Sequence, residues 1–478
     1  MAPPRTSARR RVLAAAAAAP VAAALLQAPA HAAQDAPGLT PADDTVLDDR
    51  ALYFVSYDGL VNNSSYQQDA ILTHGRYQYA TWYTEDRSPV IARRTASSGG
   101  GTGDWESVVL PHSLSVDDSH NTISLGVSPE DGRIHVALDT HSSTVYYFRS
   151  EAGLADAPAS DWAADAFGGV QRDLEGVDVG TFTYPRFVQS PSGALQLSFR
   201  NGISGDGTME LAEYRDGEWA RLGPWTSATG TYRDHGGTSE RRNLYLHGID
   251  YDADGRLHAS FTWRERSGDI ACGPGNVTNH DTGYVYSDDE GRTWHTDNGA
   301  TAAVTGGGRM LSVNTPGHVV DPLSADHALL NQEAQAVDSE GNPHVVISYV
   351  PGRFTQCVSD FTEDRRDHGY AFHLYRDDAG EWHKMEIPEA LNAFGRSRLV
   401  LDGDDDAYVV MPGGRIMAAS AESGWTDWTK VHDGLGAFGE VLVDADRVRE
   451  TGRFSVLYQE PSTGTTPSPI HVADFRTD

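Results

Sequence analysis

From Leu52 onward the chain alternates short apolar runs rich in Val, Tyr, Phe and Thr with Gly/Asp turns, and no helical periodicity of ten or more residues interrupts them. A unit recurs within this pattern: a strand, a turn ending in glycine, and a second strand. It reads "THGRYQYATWY" at Gly75, "PEDGRIHVALDTH" at Gly132, "SPSGALQLSFRNG" at Gly193 and "DADGRLHASFTWRE" at Gly255. It returns as "DSEGNPHVVISYV" at Gly341, "GDDDAYVVM" around Asp405 and "ETGRFSVLYQE" at Gly452. Most copies lie about sixty residues apart, a length that suits a four-stranded blade with generous loops. Trp105, Trp162, Trp219, Trp294, Trp382 and Trp428 follow the first six turns. The segment "SDDEGRTW" at Ser287–Trp294 has the S-x-D-x-G-x-T-W form of an Asp box, and "RDDAGEW" at Arg376–Trp382 is a degraded copy. Such boxes pin a turn and bury a Trp; they catalyse nothing.

The pattern predicts an all-β chain forming a single seven-bladed β-propeller over residues 51–478, with residues 34–50 as an N-terminal tail. The strand "ALYFVSY" beginning at Ala51 is expected to complete the short seventh copy and close the ring, hiding sheet edges that would otherwise aggregate. Residues 1–33 read as a secretory signal peptide. Arg5, Arg9, Arg10 and Arg11 precede an Ala/Leu/Val stretch, and "AHA" at Ala30–Ala32 supplies a small-x-small cleavage site. The Arg9-Arg10-Arg11-Val-Leu order also suits a twin-arginine signal. Pro20 and Pro29 argue against a membrane anchor, so the expected product is secreted, soluble and monomeric.

Charge narrows the partners. Loss of four arginines and no acids with the signal takes the formal charge from −31 to −35, which argues against nucleic acid and anionic membranes. An anionic substrate would need a local cluster of arginine. Only two lysines occur, Lys384 and Lys430, so nearly all positive charge is Arg, which can grip carboxylates with two parallel hydrogen bonds.

The repeat places candidate residues on one rim. Residues just before the first strand of a unit and just after its second strand share one end of a propeller. His120 and His141 occupy these places in the second unit, Tyr184 and Arg200 in the third, and Tyr245 and Arg264 in the fourth. His141 and Arg264 lie nine residues past their turn glycines and Arg200 seven, odd offsets that put all three on the same side of their strands. His135 and His258, third after their turns, belong to the opposite end and read as structural. The rim carries no convincing pair of carboxylates, which a glycosidase normally uses. It suits β-elimination of a 4-linked uronate instead: Arg neutralises the carboxylate, His takes the C5 proton, and Tyr protonates the leaving oxygen. No redox cofactor is required.

At these residues the sequence resembles the propeller-type polysaccharide lyases, specifically the ulvan lyases and relatives that cleave rhamnose–glucuronate linkages. The resemblance runs through "SHNTISLGV", "DGRIHVALDTHSSTVYYFRS", "TYPRF", "LSFRNGISGDGTM" and the "SDDEGRTW" box. It implies His120 as the base and Tyr184 as the acid, with those two roles open to exchange. Arg200, helped by His141, would neutralise the uronate carboxylate, and Tyr245 would line the site. Arg264 is added on geometry alone.

Cys272 and His280 in one inter-strand loop, and Cys357 and His368 in the next, have the composition of a closed tetrahedral zinc site. A Cys272–Cys357 disulfide is the alternative for an exported chain. The resemblance favours a structural zinc. The acidic turn Asp402–Asp406 has the composition to attract calcium, against its reading as a solvated turn. A propeller glycoside hydrolase and a non-catalytic glycan-binding propeller are the competing readings of the same rim, and a lyase of plant gum is the close rival within the same chemistry.

Overall fold

A computed structural model describes residues 1–2, 37–66, 69–96 and 102–477, so the signal peptide and cleavage site expected at 1–33 lie outside the described residues apart from the first two. The folded unit spans Ala36–Asp478. It is built almost entirely of antiparallel strands, arranged in seven sheets. Every one of the seven repeated turns joins two neighbouring antiparallel strands of one sheet. Each turn carries a left-handed residue: Gly75, Gly132, Gly193, Gly255, Gly341, Asp405 and Gly452 have φ of 56°, 64°, 91°, 88°, 84°, 61° and 62°. That backbone need explains why glycine marks six of the copies and Asp, the next most tolerant residue type, the seventh.

The strands that lead into these seven turns contribute to one cavity of about 620 Å³, which also receives the side chains of Asp69, Arg186, Asp250, Gln335, Arg398 and Asp444. Arg186 spans it, donating to Asp69 and to Asp250 at 2.9 Å each and so tying three sheets through one guanidinium. Hydrophobic side chains fill the spaces between successive sheets. One cluster runs from Tyr79 and Ile91 of the first sheet to Leu125, Val136 and Phe148 of the second, and another joins Leu399 and Val409 to Ala334 and Val346. The Asp box behaves as a turn clamp: Gly291 N–H donates to Ser287 Oγ at 2.9 Å, Thr293 N–H to Asp289 at 2.6 Å, and Trp294 is fully buried.

The seventh sheet corrects the expected domain boundary. Leu39–Ala51 is a 13-residue strand rather than a tail. It pairs antiparallel with the C-terminal strand Ser468–Thr477, from Leu39 opposite Thr477 to Ala51 opposite Ser468. The segment "ALYFVSY" leaves that strand at its first residue and continues as buried irregular chain through Leu52, Tyr53 and Phe54. Alternation misses the strand because its sequence, LTPADDTVLDDRA, is mostly polar: it is an outermost strand with one face in water. Deleting residues 37–51 is expected to abolish cooperative thermal unfolding, measured by circular dichroism, whereas deleting residues 1–33 is expected to leave it intact.

Candidate active site

Asp118 organises the centre of the site. Its two carboxylate oxygens take the Nδ1 atoms of His120 at 2.7 Å and His141 at 2.6 Å. It also accepts the backbone N–H of His120 at 2.9 Å. An ionised carboxylate only accepts, so both imidazoles carry their proton on Nδ1 and turn an unprotonated Nε2 outward. The two rings stack with centroids 4.1 Å apart, and Tyr66 stacks on His120 at 4.5 Å, so His120 lies between two parallel rings. Burial first, and His141 and Arg396 after it, push His120 down to about 4, although its hydrogen bond to Asp118 pulls the other way. Burial alone would raise Asp118, but the hydrogen bonds from His120 and His141 hold it well below the usual carboxylate range.

His141 reaches this position by leaving its own sheet. The short strand His141–Ser143 pairs with the next sheet, placing His141 opposite Thr183 and Ser143 opposite Phe182. Thr183 in turn faces Arg200 on the other side. Tyr184 follows at a register shift between Thr183 and Arg186, with φ of 60°. A bulky residue rarely adopts that conformation, and a bulge re-aims its side chain. The Tyr184 ring ends 6.0 Å from His120 and 5.8 Å from Tyr245. Burial first, and the neighbouring Tyr245 second, push the Tyr184 hydroxyl well above its ordinary range. At Tyr245, burial is outweighed by Arg200 and then Arg264, which pull the phenol below its ordinary range.

Arg200 is fully buried and its partners are neutral: Ser142 Oγ and Thr183 Oγ1 at 3.0 Å each and the Tyr245 hydroxyl at 3.3 Å. Its guanidinium lies 4.8 Å from the Tyr184 ring centroid, and its Nε has no partner. Among the described residues neither Arg200 nor Arg264 forms an ion pair with a carboxylate, whereas Arg396, which lies over Tyr66, is neutralised by Glu440 at 2.7 Å. Leaving a buried guanidinium without an anion costs several kcal/mol. That cost is returned when an anion enters.

The structure therefore brings together His120, His141, Tyr184, Arg200 and Tyr245, with Arg264 within electrostatic reach of Tyr245. Asp118, Tyr66 and Arg396 were missed. Asp118 was the legible one, two residues before His120, where a side chain can turn back onto the histidine it precedes; Tyr66 and Arg396 come from distant units without a motif. His135 and His258 are buried and bonded to the Tyr147 and Tyr284 hydroxyls at 2.7 Å and 2.8 Å, as packing residues would be.

The expected zinc ligands do not assemble. Cys272 and Cys357 are joined in a disulfide, which removes both thiolates. His280 is buried against Asp281 at 3.0 Å and Glu265 at 3.2 Å, and His368 stacks on Phe354. His235 and Asp326, bonded to each other, approach Cys272 instead, but its sulfur is already committed to Cys357. In the Asp402–Asp406 turn, the carboxylates of Asp402 and Asp405 are engaged by the chain. Asp402 accepts from the Asp404 and Asp406 amides at 3.1 Å and 3.0 Å, and Asp405 pairs with Arg449 at 2.8 Å.

Residues 77–390 match the BNR repeat-containing family, and the chain belongs to it. Among curated proteins it is 24% identical over 463 residues to the long-isoform ulvan lyase of Alteromonas sp. (strain LOR), covering 86% of this chain and 43% of that one. The long-isoform ulvan lyase of Pseudoalteromonas sp. (strain PLSV) is also 24% identical, over 78% of this chain and 39% of the relative. The chain thus spans about two-fifths of these relatives' length. Its fold is shared with polysaccharide lyase Uly1 (TM-score 0.67, 19% identity, 92% of this chain and 100% of that one). It is shared as well with a PL25 ulvan lyase bound to -[GlcA(1-4)Rha3S]- (TM-score 0.60, 12% identity, 89% and 94%).

Two outcomes test this geometry. Asp118→Asn is expected to leave the fold unchanged and to free both imidazoles from their common orientation, read as a change in the ring NMR signals of His120 and His141. In an NMR pH titration the His120 ring is expected to take up its proton near pH 4 rather than near 6.5, since burial holds it neutral above that value. For the disulfide, the denatured, unreduced protein is expected to show no free thiol by Ellman titration, and Cys272→Ser to cost about 2–4 kcal/mol in denaturant unfolding.

Proposed function

We propose that the protein is an exported polysaccharide lyase that cleaves a 4-linked uronate beside rhamnose by β-elimination, with ulvan as first substrate and plant-gum rhamnose–glucuronate linkages as the rival. The observation that carries this reading is Arg200: a buried guanidinium held only by hydroxyls is a receptor waiting for a carboxylate. The ulvan lyase relatives support it. In this reading the seven sheets are the seven blades of one propeller, acting as a monomer. No helix among the described residues is long and apolar enough to cross a membrane.

The uronate carboxylate pairs with Arg200, and Arg264 adds positive charge from the adjacent sheet. This stabilises the charge that develops when the neighbouring C5 proton leaves. His120 takes that proton on Nε2. It is neutral at working pH because burial disfavours its charged form, and the negative Asp118 compensates the imidazolium once it forms. The C5–H electrons become the C4–C5 double bond, the C4–O4 bond breaks, and O4 leaves as a hydroxyl after receiving a proton. Tyr184 supplies that proton: its raised affinity keeps it protonated beforehand, which favours it as the acid and His120 as the base. Asp118 can balance one added proton on either ring, so His141 stays neutral beside a protonated His120 and holds the shared carboxylate in place, rather than acting as a second cation for the uronate.

The test is incubation of the purified protein with ulvan, gum arabic, heparan sulfate and alginate, following the ultraviolet absorbance of a 4,5-unsaturated uronate. Absorbance is expected to rise with ulvan, and His120→Ala to lower the rate by at least about 10³-fold while substrate binding persists. Arg200→Lys, which keeps charge but loses the planar fork, is expected to cost about 10²-fold in kcat/KM. A rise with the plant gum alone would keep the chemistry and change the substrate. Reducing ends that accumulate without absorbance would mean hydrolysis, and binding without any cleavage would mean a glycan-binding propeller.

A further inference from the structure

Immediately after the closing strand, the chain runs buried through Leu52, Tyr53 and Phe54 and then turns sharply outward. Ser56 and Gly59 exchange backbone hydrogen bonds at 3.0 Å each, closing a two-residue hairpin whose central residues are Tyr57 and Asp58. Both lie in the left-handed region, with φ of 52° and 61°. Turns of this kind favour Asn-Gly, and an aromatic residue at φ > 0 is strained.

The turn is nevertheless locked from several sides. The Ser119 hydroxyl donates to the Ser56 carbonyl at 2.7 Å, and Arg366 donates to Asp58 at 3.0 Å from the helix Phe361–His368. At Gly59 a β-carbon would stand 2.5 Å from Ser64 Oγ, so a side chain there would have to displace that hydroxyl. What the locked turn presents is a ring. Tyr57 is 66% exposed, and it meets His120 edge-on with centroids 4.8 Å apart. Burial does not account for such a residue, and retained backbone strain marks places that function requires.

We propose that Tyr57 is a positioning residue, a platform on which a sugar ring stacks beside the uronate whose proton His120 removes. This rests on the lyase reading above and names a subsite for it. The sugar is the neutral neighbour rather than the uronate. The platform's own turn carries the Asp58 carboxylate, whereas the arginines free to receive an anion, Arg200 and Arg264, cluster around Tyr245. The C–H-rich face of a deoxyhexose offers the apolar surface that an aromatic face accepts.

The experiment compares Tyr57→Ala, Tyr57→Phe and Tyr57→Trp with the wild type on a defined uronate–rhamnose oligosaccharide. Binding is measured separately in a Tyr184→Phe background, where turnover is blocked. Tyr57→Ala is expected to raise KM and Kd about tenfold while kcat stays within about threefold, and the two aromatic variants to stay within about twofold of the parent. Melting temperatures should not move, because the ring is exposed. Unchanged KM and Kd in Tyr57→Ala overturn the platform. So does a loss in Tyr57→Phe equal to that in Tyr57→Ala, which would assign the effect to the hydroxyl. A Tyr184→Phe parent that binds no uronate oligosaccharide overturns the lyase reading itself, and is distinguishable because the failure precedes any change at Tyr57.

Discussion

The architecture depends on a single pairing, that of Leu39–Ala51 with Ser468–Thr477, which puts both ends of the chain into one sheet. Without it Ser468–Thr477 would be the bare outer edge of that sheet, and the chain entering the first sheet would not be anchored on the last one. The closure also sets the site. The chain leaves Ala51 and goes directly to the Ser56–Gly59 turn and to Tyr66, both of which touch His120. Asn63 then reaches across to the carbonyls of Phe438 and Glu440, at 2.6 Å and 2.9 Å, binding the start of the first repeat to the last one. The strand that completes the fold is therefore also the strand that delivers one wall of the site.

Within that frame the site is an exercise in uneven charge. The protein is strongly acidic, yet its buried arginines are treated in two ways. Arg186, Arg242 and Arg396 are paired with carboxylates and hold sheets or strands together. Arg200 has only hydroxyls. Asp118, the acid beside the two histidines, is divided between them and is unavailable to neutralise it. A site that receives an anion must keep its cation unpaired and its acids occupied, and these residues meet both conditions.

The cysteines illustrate how composition can mislead. Two Cys and two His in matching loops of adjacent units are the elements of a zinc site, and a disulfide uses the same cysteines to the same mechanical end. Which one forms is decided by where the histidines point. His280 turns inward to Glu265 and Asp281 beneath Tyr232, His368 turns to Phe354, and the sulfurs are left to each other.

Local sequence by itself determined the repeat, because each copy needs a left-handed turn residue and an alternating pair of strands, and both requirements are written in consecutive residues. It also determined which ends of those strands carry His120, Tyr184, Tyr245 and Arg200, since the turn fixes where each pair of strands begins and stops. Tertiary structure alone decided what those residues meet. The closing strand was hidden because a half-solvated outer strand needs little apolar alternation. Tyr66, Tyr57 and Arg396 were hidden because they reach the site from distant parts of the chain, through the packing of sheets far apart in sequence rather than through any spacing. The same holds for Arg200: the sequence shows an arginine at the end of a strand, and only the packed structure shows that no carboxylate comes near enough to neutralise it.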